Sequence, residues 1–176
     1  MSKATTREYA PILPPSFAAL VGEFIASWSG TSGLLTMLLS DLVAGRTLGY
    51  GDDFTGSMVV VGMDTRVQLG FIRSLGAARI GKRNAQAMDF LVDKLEKSKH
   101  QRDLLAHAVW SVDTKGRMIA HTLKTVGKVR YVQRHISPKQ IVEEIASLMT
   151  TTAMLVKLFQ KHGYLSGMEE WNGKFF

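Results

Sequence analysis

Apolar residues recur at three- and four-residue steps along most of this chain, which is the spacing of one face of an α-helix. The first such pattern begins at Pro14 or Pro15 and continues to Leu42. A proline is favourable at the first helical position, because its missing N–H would have no helical partner there. Gly30 and Gly33 leave two interpretations of the middle open: a close approach to another helix, or a break in this one.

Two more helices are predicted before a segment at 117–136 that is rich in β-branched residues. Asp52 or Asp53 is the predicted cap of a second helix that ends near Ile80. Three consecutive valines near its centre leave a strand as the alternative there. Asn84 is the predicted cap of a third helix, which continues to about Trp110.

The next pattern predicts a β-hairpin. Residues 117–125 and 128–136 are rich in β-branched and aromatic side chains on either side of Gly127. Alternation along the strands predicts a set of side chains that faces the helices: Ile119, Leu123, Val129 and Tyr131. The basic residues Lys128, Arg130 and Arg134 are predicted to face water.

The last helix has a complete start signal. Ser137 is the predicted cap, Pro138 occupies the first helical position, and Gln140 stands three residues after the cap. The helix is predicted to end near His162, before Gly163. The whole pattern predicts a mainly α fold: a bundle of about four long helices with a β-hairpin inserted before the last one.

Length and composition fit one globular domain at 14–163, with a flexible N-terminal arm at 1–13 and a C-terminal tail at 164–176. The chain has no cysteine, which excludes disulfides and thiol catalysis. It shows no signal-peptide pattern and no apolar run near the roughly 18 residues that a membrane span requires. A cytoplasmic protein without a membrane partner is therefore expected.

Positive charge is concentrated in one part of the chain. The net charge is +7, and residues 114–139 contain seven lysines and arginines and no acidic residue. Such a run is either a solvated face or a surface that binds phosphates. The second interpretation predicts RNA-binding residues in the hairpin: Lys124, Lys128, Arg130 and Arg134.

Arg102 interrupts the apolar stripe of the third helix. Burying an unpaired guanidinium costs several kcal/mol, so either an anion meets it or the stripe opens into a cleft there. Asp103 and His107 are four residues apart and lie on an adjoining face, where the carboxylate is placed to orient the imidazole for proton transfer. The alternative is an Arg102 paired with Glu23 or Asp41, beside an ordinary histidine.

The segment RDLLAHAVW at 102–110 resembles the signature of the HEPN superfamily (higher eukaryotes and prokaryotes nucleotide-binding). In that signature a polar residue directly follows an arginine, and a histidine comes after at least three further residues. The predicted bundle, hairpin and closing helix are also similar to those of HEPN-like bacterial proteins. The same arginine–histidine spacing recurs at Arg130 and His135, within a predicted strand, where we interpret it as accidental.

The resemblance implies that Arg102 and His107 are catalytic and that Asp103 is the polar residue after the arginine. Asp103 stands where asparagine is commoner, and Ala108 stands where glycine often follows the histidine. The implied protein is a homodimeric, metal-independent endoribonuclease of toxin or defence type. Its implied partners are RNA and an antitoxin or regulatory protein.

No metal and no cofactor are predicted. The five histidines show no paired metal-ligand spacing on a common helix face, and the glycine motifs of nucleotide-binding loops are missing from the sequence. Two alternatives to the ribonuclease stay open. One is a non-catalytic helical module that binds nucleic acid or a protein partner, and the other is a purely structural interaction domain.

Overall fold

The computed structural model describes residues 13–44, 60, 62–126 and 128–165, and only the backbone at 124–126 and 128–130. This part of the chain is mainly α-helical, as the sequence predicted. Its helices are α1 (Pro15–Ala44), α2 (Thr65–Ile80), α3 (Lys82–His107) and α4 (Pro138–Gln160). Its strands are β1 (Val109–Val112), β2 (Met118–Val126) and β3 (Lys128–Ile136).

The first helix is unbroken, which excludes the predicted alternative of a break at its glycines. It packs against α2, α3 and α4, and its buried face includes Phe24, Trp28 and Leu35. A Cβ added at Gly33 would meet nothing within 4 Å, so this glycine does not mark a close helix–helix approach. No helix in the described ranges is long and apolar enough to cross a membrane.

The predicted second helix does not continue unbroken to Ile80, and the predicted start of the third helix is wrong. The second helix begins at Thr65, and Asp64 caps it by accepting a 2.7 Å hydrogen bond from the Arg66 backbone N–H. The residues proposed for that cap, 52 and 53, lie outside the described residues. The third helix begins at Lys82, so Asn84 lies inside its first turn, where its amide donates to the Ile80 carbonyl oxygen at 3.1 Å.

The third helix also ends earlier than predicted. Ala108 is already extended, and Val109–Val112 forms the edge strand of a three-stranded antiparallel sheet in the order β1–β2–β3. The valines and Trp110 pair with β2 instead of continuing the helix, and the Trp110 ring packs edge-on against Phe17 of α1. The predicted hairpin is confirmed as β2 and β3, but β1 was not predicted.

The assignment of the hairpin faces was wrong by one residue. Met118, Ala120 and Ile136 are buried in the core, so their side of the sheet faces the helices. Leu123 and Tyr131, which the sequence placed on that side, are 69% and 60% exposed on the opposite side, which we call the outer face. Both sides carry apolar residues, and alternation alone therefore did not distinguish them.

The helix-facing side also includes a predicted water-facing residue. Ala120 pairs with Arg134, so Arg134 shares the helix-facing side of the sheet, although its side chain is exposed. The side chains of Lys128 and Arg130 lie outside the described residues.

The start of the last helix is confirmed in detail. The Ser137 side chain accepts from the Gln140 backbone N–H at 3.3 Å, and the Gln140 side chain accepts from the Ser137 backbone N–H at 2.8 Å. Beyond α4, Tyr164 and Leu165 are buried, and the Leu165 N–H donates to Asp41 at 2.8 Å. Residues assigned by sequence to the tail thus contribute to the core.

Candidate functional site

The three predicted catalytic residues lie in the last turns of α3, as the helical pattern indicated. Arg102 and Asp103 are partly buried, and His107 is the exposed final residue of the helix. The next residue, Ala108, leads directly into β1. His107 is therefore held at a junction between the end of a helix and the edge of a sheet.

The Asp103 carboxylate is engaged by two cations. One of its oxygens lies 3.1 Å from a guanidinium nitrogen of Arg102, and the other accepts a 2.9 Å hydrogen bond from the Lys99 ammonium. Among the described residues no hydrogen bond joins His107 to Asp103, the carboxylate that the sequence placed to orient the imidazole. Asp103 balances positive charge on α3.

Arg102 lines a groove between α3 and α1. The groove has a volume of about 470 Å³, and Trp28, Ser32 and Thr36 of α1 line it. The Arg102 side chain is 28% exposed, but its Nε is buried without a hydrogen-bond partner among the described residues. Both outcomes expected for this arginine occur, because it meets an anion and the apolar stripe of α3 opens into a groove. The anion is Asp103 instead of Glu23 or Asp41.

His107 lines a different cavity, which we call the α3–sheet cleft. It has a volume of about 960 Å³, and it is lined by the last turns of α3 and by residues from both faces of the three strands. His107 follows Arg102 by five helical positions, which places the two residues about 140° apart around the axis. One chain therefore does not bring these two predicted catalytic residues into the same cavity.

The α3–sheet cleft brings several polar side chains together. Its walls include three imidazoles, three hydroxyls, a guanidinium and a carboxylate: His100, His107, His121, Ser111, Thr122, Tyr131, Arg134 and Asp103. Apolar side chains, among them Val109, Trp110 and Leu123, complete the lining. Such a cavity can bind a partly apolar, anionic group and offers several groups for proton transfer.

A hydrogen-bonded chain of three side chains crosses the sheet inside this cleft. The Ser111 hydroxyl lies 2.5 Å from His121 Nε2, and the Tyr131 hydroxyl hydrogen-bonds to His121 Nδ1. The His121 and Tyr131 rings are stacked, with centroids 5.4 Å apart and planes inclined by 27°. Both ring nitrogens of His121 therefore have partners, which fix the imidazole in place.

Register explains why these residues meet. His121 pairs with Val109 on one side and with Gln133 on the other, so Ser111 and Tyr131 are its diagonal neighbours on the outer face. Diagonal neighbours are close enough for long side chains to touch. Sequence reasoning missed the trio because it did not predict β1, although a hairpin centred on Gly127 would have indicated the pairing of His121 with Gln133.

One of the four predicted RNA-binding residues belongs to this cleft. Arg134 and His107 both line it, so the hairpin contributes a cation to the cavity that contains the predicted proton-transfer residue. Lys124 pairs with Arg130, and Lys128 pairs with Val126, but the side chains of 124–130 lie outside the described residues. The structure therefore brings Arg134, and not Arg102, into the cavity of His107.

The turn between β1 and β2 has a strong local anchor. Asp113 accepts hydrogen bonds from the backbone N–H groups of Lys115 and Arg117 at 2.9 and 2.8 Å. Its other oxygen lies 2.7 Å from Arg117 Nε. The backbone hydrogen bond from Arg117, more than any other contact, lowers the pKa of the Asp113 carboxyl below its usual range.

Neither metal-ligand geometry nor comparison with known proteins assigns a role to this chain. Within the part of the chain that the structure describes, no three His, Asp or Glu side chains are grouped so as to hold a metal ion. No family model matches the sequence, and no curated protein or solved structure is similar to it.

Proposed function

We propose that this chain is a metal-independent endoribonuclease of HEPN type, with His107 as its proton-transferring residue. The observation that carries the proposal is that His107 lines a cleft of about 960 Å³, which Arg134, Tyr131 and two more histidines also line. A cleft that holds both an imidazole and a guanidinium suits the cleavage of a phosphodiester, which needs proton transfer and stabilisation of negative charge.

The proposed reaction uses the 2′-hydroxyl of RNA as the nucleophile. His107 removes the proton from this hydroxyl, and its oxygen forms a bond to the adjacent phosphorus. The bond from phosphorus to the 5′ oxygen breaks, and a second imidazole gives that oxygen its proton. A guanidinium stabilises the negative charge of the phosphorane. The products are a 2′,3′-cyclic phosphate and a 5′-hydroxyl end.

A homodimer is the proposed active form. Arg102 and His107 line different cavities of one chain, and a second copy is the proposed source of the Arg102 that meets a phosphate beside His107. A dimer in which the last turns of α3 meet would supply both. His107 of the partner subunit would then protonate the leaving oxygen. An antitoxin or regulatory protein that covers this junction is the proposed further partner.

A specific observation favours a second candidate, a module that binds RNA without cleaving it. The Asp103 carboxylate is engaged by Lys99 and Arg102, so it is not free to orient His107. In that case the cleft and the basic hairpin would hold RNA, and His107 would contribute a contact only.

The first experiment is RNA cleavage in EDTA. Purified protein is incubated with single-stranded RNA, and the product ends are identified by their sensitivity to acid and to phosphatase. The enzyme proposal predicts cyclic phosphate ends and a rate per chain that falls on dilution below the dimer dissociation constant. The binding module predicts intact RNA that is nevertheless retained by the protein. Cleavage that EDTA abolishes would contradict the metal-independent mechanism.

A further inference from the structure

Apolar side chains form an exposed patch on the outer face of the sheet. Val109, Leu123 and Tyr131 are 70%, 69% and 60% exposed. Val109 pairs with His121, and Leu123 pairs with Tyr131, so the four side chains adjoin across three strands. Adjoining exposed apolar side chains of this kind mark binding surfaces more often than isolated ones do.

The aromatic part of this patch is rigid. The Tyr131 ring stacks on His121, and hydrogen bonds between that imidazole and the hydroxyls of Ser111 and Tyr131 engage both of its nitrogens. A fixed, flat ring loses little conformational entropy when a second flat ring packs on it. We call Leu123, His121 and Tyr131 the stacking platform.

Charge identifies the kind of ligand that fits. The platform lines the α3–sheet cleft, to which Arg134 belongs from the helix-facing side of the sheet and in which the Asp103 carboxylate is paired with Lys99 and Arg102. The sequence from 114 to 139 adds no acidic residue. The ligand therefore combines flat apolar rings with negative charge. Single-stranded nucleic acid has both, whereas the bases of a duplex are already stacked on one another and are not free to pack on a protein ring.

We propose that the stacking platform binds an unpaired base of RNA and thereby positions the neighbouring phosphate in the α3–sheet cleft. This inference rests on the proposed function for the choice of RNA as the ligand, and it adds single-strandedness as the substrate requirement. Tyr131 is a positioning residue in this scheme, because its ring contacts a base and not the reacting atoms. The platform selects by stacking, so it discriminates weakly among base sequences.

The experiment measures binding separately from cleavage. A short, fluorescently labelled oligouridine with 2′-O-methyl groups has no free nucleophile, so its dissociation constant can be measured by anisotropy with intact protein. We expect Tyr131→Ala to weaken binding on the order of tenfold, and Tyr131→Phe to bind nearly as wild type does, because its ring is retained. Leu123→Ala is a second test, and both alanine variants alter exposed side chains, so melting curves should match wild type.

Two controls separate stacking from phosphate binding. His135→Ala removes an exposed imidazole from the same strand, outside the α3–sheet cleft, and should leave affinity unchanged. An abasic oligonucleotide of the same length should bind wild type as weakly as the base-containing one binds Tyr131→Ala. If the enzyme proposal also holds, Tyr131→Ala should raise KM for cleavable RNA and leave kcat nearly unchanged.

Several results would overturn the platform. It is contradicted if Tyr131→Ala binds as tightly as wild type, if the abasic probe binds equally well, or if wild type binds no oligonucleotide. If Tyr131→Ala instead changes the oligomeric state without changing affinity, the outer face is an interface between copies. Tyr131-dependent binding without RNA cleavage would refute the enzyme and support the platform, and cleavage with unchanged affinity in Tyr131→Ala would do the reverse.

Discussion

Gly76 provides a sharp test of how the helices pack. It lies on the buried face of α2, against Met88 of α3 and Phe159 of α4. A Cβ at this position would lie 2.9 Å from Phe159 Cζ and closer still to the Met88 sulfur. Both neighbours are fully buried, so they have little room to move away.

The expected magnitude follows from comparison with Gly70 in the same helix. A Cβ at Gly70 meets nothing within 4 Å, so Gly70→Ala should stabilise the protein by about 0.5–1 kcal/mol through helix propensity. Gly76→Ala gains the same propensity but overpacks the core, which costs about 1–3 kcal/mol. The two variants should therefore differ by roughly 2 kcal/mol, or roughly 4–8 °C in melting temperature.

Thermal and urea unfolding followed by circular dichroism measure this difference directly. The helix propensities cancel between the two variants, so the difference isolates the contact of α2 with α3 and α4. Equal stabilisation by Gly76→Ala and Gly70→Ala would refute this packing, because it would mean that the core leaves space at Gly76.

Three further predictions concern the hairpin, the turn and the predicted catalytic arginine. Replacing Lys128, Arg130 and Arg134 with glutamine should weaken RNA binding and reduce its salt dependence, because fewer counterions are released; an unchanged salt slope in an anisotropy titration would indicate a merely solvated face. Folding lowers the pKa of Asp113, so its charged carboxylate stabilises the folded protein. This stabilisation is complete at pH values above the ordinary pKa of a carboxyl group, and it is lost as the pH falls through the lowered pKa. The stability deficit of Asp113→Asn should therefore shrink in acid, and melting curves that show a constant deficit from neutral to acidic pH would contradict this. Arg102→Lys should cleave RNA more slowly than wild type while melting normally, since an ammonium cannot bind phosphate in the planar two-point manner of a guanidinium; an equal kcat would remove Arg102 from the mechanism.

Helices were predictable from this sequence where local signals agreed with burial. The Ser137 cap with Pro138 and Gln140 fixed the start of α4 to the residue, because all of its partners are local. Asn84 misled the prediction because its side chain satisfies the Ile80 carbonyl and lies 3.0 Å from His162 Nε2, a distant residue that no local pattern reveals.

The candidate site was predictable only in part, because most of it depends on strand pairing. His107 stood out beside an arginine in an apolar stripe, and that signal lies within one helix. The trio of Ser111, His121 and Tyr131 depends on the register of three strands, one of which was predicted as helix. A one-residue error in alternation also exchanged the two faces of the sheet and concealed the exposure of Tyr131.

The most direct test of the enzyme proposal compares two histidine variants of the same spacing motif. His107 lines the α3–sheet cleft, whereas His135 also follows an arginine by five positions but lies outside that cleft, and both are exposed. The rate of RNA cleavage in EDTA should fall about a hundredfold or more in His107→Ala, with melting unchanged, and should stay near wild type in His135→Ala. Equal rates in wild type and His107→Ala, or no cleavage by either, would contradict the assignment of His107 as the proton-transferring residue.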